Sequence, residues 1–160
     1  MGFEKERGVL AIETEPGVSF IRVALAAGAS HEVPALRALR PLSERGIGVR
    51  LVRIHPNSLT FVVGESDQAP TSAGLSKAGV DFDACPDCAV VTVLAPDMRS
   101  VTGLLARVGE TLHARGIEVY QTADSHSSVA CVIPCVRAAE AVEALRSEFG
   151  LPGEAEGTPR

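Results

Sequence analysis

From residue 115 to residue 133 the chain reads R-G-I-E-V-Y-Q-T-A-D-S-H-S-S-V-A-C-V-I. Ile117, Val119 and Gln121 alternate with Glu118 and Tyr120, and Val129, Cys131 and Ile133 alternate on the return. A period of two predicts two strands. Ala123-Asp124-Ser125-His126 lies between them and carries side chains that hydrogen-bond their own backbone, so it predicts a turn. Gly116 follows a helical pattern and supplies the left-handed conformation that ends a helix.

The remaining pattern predicts the other elements. Residues 9–13 form a short strand candidate, and Glu15-Pro16-Gly17 a turn. Residues 18–25 are apolar nearly throughout and suit a buried central strand. A helix is expected over 33–45, with Leu36, Leu39 and Leu42 at helical spacing and Gly46 as its stop. Pro41 inside it predicts a kink or a weak helix. Strands follow over 47–54 and 58–63, around His55-Pro56-Asn57. A weak helix over 69–78 contains Gly74 and ends at Gly79, before a short strand over 80–84. Residues 89–95 are a second buried strand, and 103–115 a helix with Leu104, Leu105, Val108 and Leu112 on one stripe. The last helix, 136–149, turns Ala138, Ala139, Val142 and Leu145 inward and Arg137, Glu140, Glu143 and Arg146 outward.

The pattern repeats. Arg45-Gly46-Ile47-Gly48-Val49 matches Arg115-Gly116-Ile117-Glu118-Val119, 70 positions on. The same offset sets Phe20, Ile21 and Val23 on Val90, Val91 and Val93, Leu42 on Leu112, and Leu75 on Leu145. Few identities survive but the polar and apolar order does, which marks a duplication. Each copy fits a two-layer α+β unit of βαββαβ order: an antiparallel ferredoxin-like sheet with helices on one face. The expected units are 18–84 and 88–151, with 152–160 a disordered tail rich in Gly, Pro and Glu. Residues 80–84 close the first unit, but nothing after Phe149 closes the second. Strand 9–13 is therefore expected to do so, interlocking the two.

Composition narrows the function. The chain has 160 residues, 46% of them hydrophobic, enough for one domain or two small ones. The net charge of −5 and the lack of a Lys/Arg run remove the usual footprint of nucleic-acid binding. Aromatic content is 4% with no Trp, which leaves no platform for stacking bases. The charged start M-G-F-E-K-E-R is not a signal peptide, and no apolar run approaches a membrane span of about 20 residues. A cytoplasmic, membrane-independent protein is expected.

A duplicated βαββαβ unit with R-G-I-x-V closing its first helix resembles the tandem ACT regulatory region of aspartate kinases. Further echoes are V-x-F-I-R-V at 18–23, Q-T-A-D-S-H-S-S at 121–128 and A-L-R-S-E-F-G-L at 144–151. The similarity spans about residues 9–151. No Gly-rich phosphate loop or paired carboxylates for a metal–nucleotide complex occur, so a non-catalytic regulatory portion without cofactor or metal is expected. The resemblance implies an amino-acid effector, lysine or threonine, at an interface between ACT units. It also implies an aspartate kinase catalytic chain as partner and a homodimer formed through ACT units; the rival is a ligand-free assembly subunit. The family's second-unit turn, M-x-S-x-P-G, corresponds here to Met98, Ser100, Thr102 and Gly103, with Thr102 in place of Pro. Leu104 and Leu105 follow it, and Glu118 and Val119 are the implied facing strand positions. In the first unit the turn contains Ser30, Val33 and Pro34, without the Pro-Gly.

Cys85, Cys88, Cys131 and Cys135 form C-P-D-C and C-V-I-P-C. C-x-x-C suggests zinc or redox chemistry. Strand geometry sets Cys131 about 13 Å along the strand from the end where the other three gather, which argues against one four-Cys site. A disulfide, a three-Cys site and ordinary buried thiols stay open. His31, His55, His113 and His126 lie apart, and His126 with Asp124, Ser125 and Ser127 fits turn hydrogen bonding better than a nucleophile with its base.

Overall fold

The computed structural model describes residues 8–26, 33–97 and 103–152. Six strands and four helices alternate along it: β1 (Ala11–Ala24), α1 (Pro34–Glu44), β2 (Arg50–Ile54), β3 (Ser58–Gly64), α2 (Gln68–Lys77), β4 (Phe82–Leu94), α3 (Leu104–Ala114), β5 (Gln121–Asp124), β6 (Ser128–Pro134) and α4 (Ala138–Glu148). Single 3-10 turns, Glu65–Asp67 and Cys135–Arg137, lead into α2 and α4.

The chain divides into two compact units. One is Gly17–Cys88; the other joins the chain up to Pro16 to the chain from Ala89 onward. Strand order is β2-β3-β1-β4 in the first and β1-β4-β6-β5 in the second, so β1 and β4 each give one end to each unit. In the first unit the Ala24 N–H donates to Asp81 O (2.8 Å); in the second the Leu10 N–H donates to Leu94 O (2.7 Å). Antiparallel register runs from Val18 opposite Gly64 to Ala24 opposite Ser58, and from Gln121 opposite Val132 to Asp124 opposite Val129. The N-terminal strand thus completes the sheet of the second unit, as the duplicated βαββαβ pattern requires.

Several backbone bonds recur in both units at the 70-residue offset. Leu25 N–H donates to Asn57 O and Ala95 N–H to Ser127 O (2.9 and 2.8 Å). Ile47 N–H reaches back to Leu42 O, and Ile117 N–H to Leu112 O, both at 3.0 Å, where Gly46 and Gly116 turn left-handed to end α1 and α3. The offset slips by one only at the end, where α4 has 11 residues against 10 in α2.

Each core lies between one sheet face and two helices. The first gathers Ile21, Val23, Leu42, Leu59, Phe61, Val63 and Leu75, with Phe82 and Ala84 packed against it. The second gathers Val91, Val93, Leu112, Val129, Cys131, Ile133 and Leu145, and Ile12 from β1 is buried among them.

Several expectations change. The separate strands 9–13 and 18–25, and likewise 80–84 and 89–95, are single long strands. Pro16-Gly17 does not reverse the chain. Gly17 (φ +69°) and Asp87 (φ +55°), each after a proline, insert one left-handed residue into a strand, a bulge-like kink that lets the ladder continue. The strands expected from Ile47 and Ile117 begin at Arg50 and Gln121. Leu51 adopts φ +52° and the β2–β3 register shifts between Arg50 and Arg53. The helical stripes also rotate. Ala35, Ala38 and Leu42 are the buried face of α1, and Leu36 is half exposed. In α3 Leu105 is half exposed, and in α4 Ala141 and Ala144 are buried where Ala139 was expected. Pro41 lies inside an unbroken α1, its carbonyl accepting from Arg45 Nη1 at 3.0 Å. The tail from residue 153 lies outside the described residues.

Candidate functional site

The candidate residues lie at the two strand–helix turns. Ser30, and Met98, Ser100 and Thr102, lie outside the described residues. Gly103 is the N-cap of α3 in the left-handed conformation (φ +67°), and the cap makes no side-chain hydrogen bond. Arg107 N–H donates to Gly103 O (2.9 Å). Val33 caps α1 in extended conformation and Pro34 is its first helical residue, suited there because it lacks an N–H. Neither helix has an acidic residue in its first turn. Both N-termini therefore offer backbone N–H groups and dipole to an anion, with no capping carboxylate from their own first turn.

The remaining candidates divide by burial. Leu104 is buried in the second core, whereas Leu105 is half exposed. Glu118 is exposed and Val119 packs partly against that core, in the irregular segment before β5. Leu104 therefore serves packing, and Leu105 and Glu118 are the accessible members.

Two polar residues escaped the sequence reading. In the first unit a cavity of about 250 Å³ is lined by Ala24, Leu25, Ala26, Pro34, Arg37, Gly79, Val80 and Asp81. It joins the end of β1, the first turn of α1 and the entry to β4, and its walls include one cation and one carboxylate. Arg37 was legible as the residue one turn after Pro34; Asp81 was not, because only the β1–β4 pairing brings it there. The equivalent of Arg37 in the second unit, Arg107, is engaged instead: its Nε lies 3.0 Å from Glu148 Oε1, and its guanidinium stacks 4.7 Å above the Phe149 ring. A larger groove, about 610 Å³, runs along α4 beside Thr14, Ala138, Val142 and Arg146, away from both turns.

All four cysteines are free. Among the described residues no three His, Cys, Asp or Glu side chains gather as a metal site. Cys131 is buried in the second core, where desolvation pushes its thiol up to about 11. Around His126 the turn is held by Ser125 Oγ and Ser128 Oγ at 2.8 Å and by Ser127 N–H on Ser125 Oγ at 3.3 Å.

This is an ACT-type fold, and residues 84–147 match the family model of the ACT domain. The fold is shared with solved structures of aspartate kinases and their regulatory subunits. It superposes on the aspartokinase alpha and beta subunits with a TM-score of 0.81 at 22% identity, covering 89% of this chain and 99% of that one. The ligand-free regulatory subunit of aspartate kinase from Thermus thermophilus gives 0.78 at 18% identity, with the same coverage. Aspartokinase III of E. coli, in complex with lysine and aspartate, gives 0.72 at 15% identity over 92% of this chain and 34% of that one. In sequence, Aspartokinase 1 of Bacillus subtilis (strain 168) is 24% identical over 112 residues, 70% of this chain. The chain spans 28% of that relative's length. No described helix is long and apolar enough to cross a membrane.

Proposed function

We propose that the chain is a non-catalytic regulatory module of aspartate-kinase type that binds an amino-acid effector, lysine or threonine, and biases a kinase catalytic chain. The observation that carries this reading is the N-terminus of α3 behind left-handed Gly103, where no described residue supplies a side-chain cap. Those N–H groups suit the effector carboxylate, and Gly103 lets the ligand approach the backbone. Leu105 and Glu118 are accessible to the rest of the effector, Glu118 offering a carboxylate to an ammonium. In the first unit Arg37 and Asp81 supply the same pair of charges. The lysine complex of aspartokinase III, which shares the fold, supports an amino acid as the ligand. The effector would bridge a turn of one ACT unit and a strand of a partner unit, favouring one arrangement of a homodimer; regulation is then a population shift.

Calorimetric titration with lysine, threonine, methionine and isoleucine tests this. Heat with lysine or threonine is expected, weakened by Gly103→Val if the second-unit turn is the site and by Arg37→Ala if the first is. Absence of heat and of thermal shift with all four would leave the ligand-free assembly subunit. Co-purification with an aspartate kinase catalytic chain tests the partner.

A further inference from the structure

One motif plays no part in the effector reading. Cys85-Pro86-Asp87-Cys88 occupies the kink of β4. Cys85 Sγ and Cys88 Sγ lie 3.8 Å apart, and Cys88 Sγ also sits 3.4 Å from Cys85 O and 3.5 Å from Pro86 O. The kink brings the two thiols together across the proline and the left-handed Asp87.

The duplicated kink supplies the comparison. In β1 the same positions are Glu15-Pro16-Gly17-Val18, with Gly17 left-handed like Asp87. Val18 is as buried as Cys88. The backbone conformation therefore needs the proline and the left-handed residue, but no thiol. Cysteines at both ends of one kink and neither end of the other point to a use other than packing.

We propose that Cys85 and Cys88 are a reversible dithiol site, closed to an intramolecular disulfide by exchange with a low-molecular-weight disulfide. The geometry is near closure: a disulfide requires about 2.05 Å between sulfurs, and rotation of the partly exposed Cys85 side chain narrows the gap. The order of events follows from access. Cys85 gives its proton to solvent, and its thiolate attacks one sulfur of the small disulfide; the other half leaves as a thiolate and takes a proton. Cys88 then loses its proton, attacks Cys85 Sγ and expels the second half as a thiol. Two protein thiols are oxidised and one small disulfide is reduced to two thiols. Burial, with the neighbouring Cys85 and Asp87, pushes the Cys88 thiol up to about 12. Cys88 is thus the resolving partner, not the first nucleophile.

The full-length chain is equilibrated in glutathione buffers of rising oxidised fraction, alkylated and mapped by peptide mass spectrometry. The expected result is loss of two hydrogens in the peptide carrying Cys85 and Cys88, while Cys131 remains alkylatable after unfolding. Excess dithiol restores the reduced pair. Cys88→Ser should stop at a mixed disulfide on Cys85, and Cys85→Ser, at the more exposed position, should abolish the chemistry with the thermal midpoint kept. Failure of the wild-type pair to close at any ratio, closure only in denaturant, or pairing of Cys85 with Cys135 or with another chain would each overturn the proposal.

Discussion

Asp87 holds φ at +55°, where an L side chain is disfavoured and glycine is not. Its counterpart in the other kink is Gly17 at +69°. Asp87→Gly should therefore stabilise the chain by about 0.5–1 kcal/mol, read as a higher urea midpoint at unchanged slope; a lower midpoint would mean that the Asp side chain holds the kink. Thr71 is a second misfit: its hydroxyl is buried with no hydrogen-bond partner among the described residues, whereas the equivalent Ala141 is apolar. Thr71→Val keeps the shape and removes the orphan, and should gain about 1 kcal/mol in the same assay. Cys131 takes the place of Phe61 in the second core, and burial holds its thiol up at about 11. Below the unfolded value near 9 both states keep the proton, and the preference of the fold for the neutral thiol is fully present. As pH rises through 9 towards 11 the unfolded chain ionises first, so stability falls, by about 2–3 kcal/mol at the upper end. Cys131→Ala should flatten this alkaline loss relative to its own value at pH 8, measured by urea melts from pH 8 to 11. The left-handed Asp87 was legible only through its repeat partner. P-G read alone predicts a turn, because turn chemistry is local and the ladder that overrides it is not.

At the scale of elements, the helices show where periodicity misleads. Leu36, Leu39 and Leu42 share a helical stripe, yet the buried face of α1 runs through Ala35, Ala38 and Leu42. Small residues let the helix lie close to the sheet, and a stripe chosen by the largest side chains is rotated from the true one. Helix existence and stop residues were legible because Gly46 and Gly116 have a conformational reason to be there. Contacts between elements were not. Arg137 reads as an outward residue at the start of α4, but its Nη2 donates to Arg115 O (2.8 Å) and its Nη1 to Gly116 O (3.3 Å), while Nε meets Glu140 Oε2 at 2.8 Å. One guanidinium thus satisfies carbonyls at the end of α3 and joins it to the start of α4. Arg137→Ala should cost about 1 kcal/mol, discounted because the side chain is about one-third exposed. Arg137→Lys should recover less than half of that, since an ammonium lacks the planar fork. Glu140→Gln should cost almost nothing. Equal losses for Arg137→Ala and Glu140→Gln would locate the energy in the ion pair and not in the carbonyl contacts.

For the molecule as a whole, the interlocked topology was legible from counting. A βαββαβ unit needs four strands, the second copy has three after residue 88, and the spare strand lies at the N-terminus. The candidate strand–helix turns were less legible: Leu104 and Leu105 are adjacent in sequence, yet one is core and the other accessible, and Asp81 reaches the first-unit cavity only through strand pairing. The interlock makes a prediction that no local reading does. Ile12 is buried in the second core, 77 positions before Ala89, where the rest of that unit begins, with Val9 packed partly against the same cluster. Ile12→Ala should therefore cost about 2–4 kcal/mol. The loss should be uneven, because the cavity opens in the unit that contains α3 and α4 and not in the one that contains α1 and α2. Under conditions where the variant stays folded, amide exchange should accelerate first in α4 and β6, with α2 and β3 less affected. Val23→Ala, the reciprocal truncation in the first core, should reverse the order. If Ile12→Ala instead accelerated β3 and α2 first, the N-terminal strand would be serving the unit that follows it in sequence, and the reading of β1 as a strand shared by both units would fail.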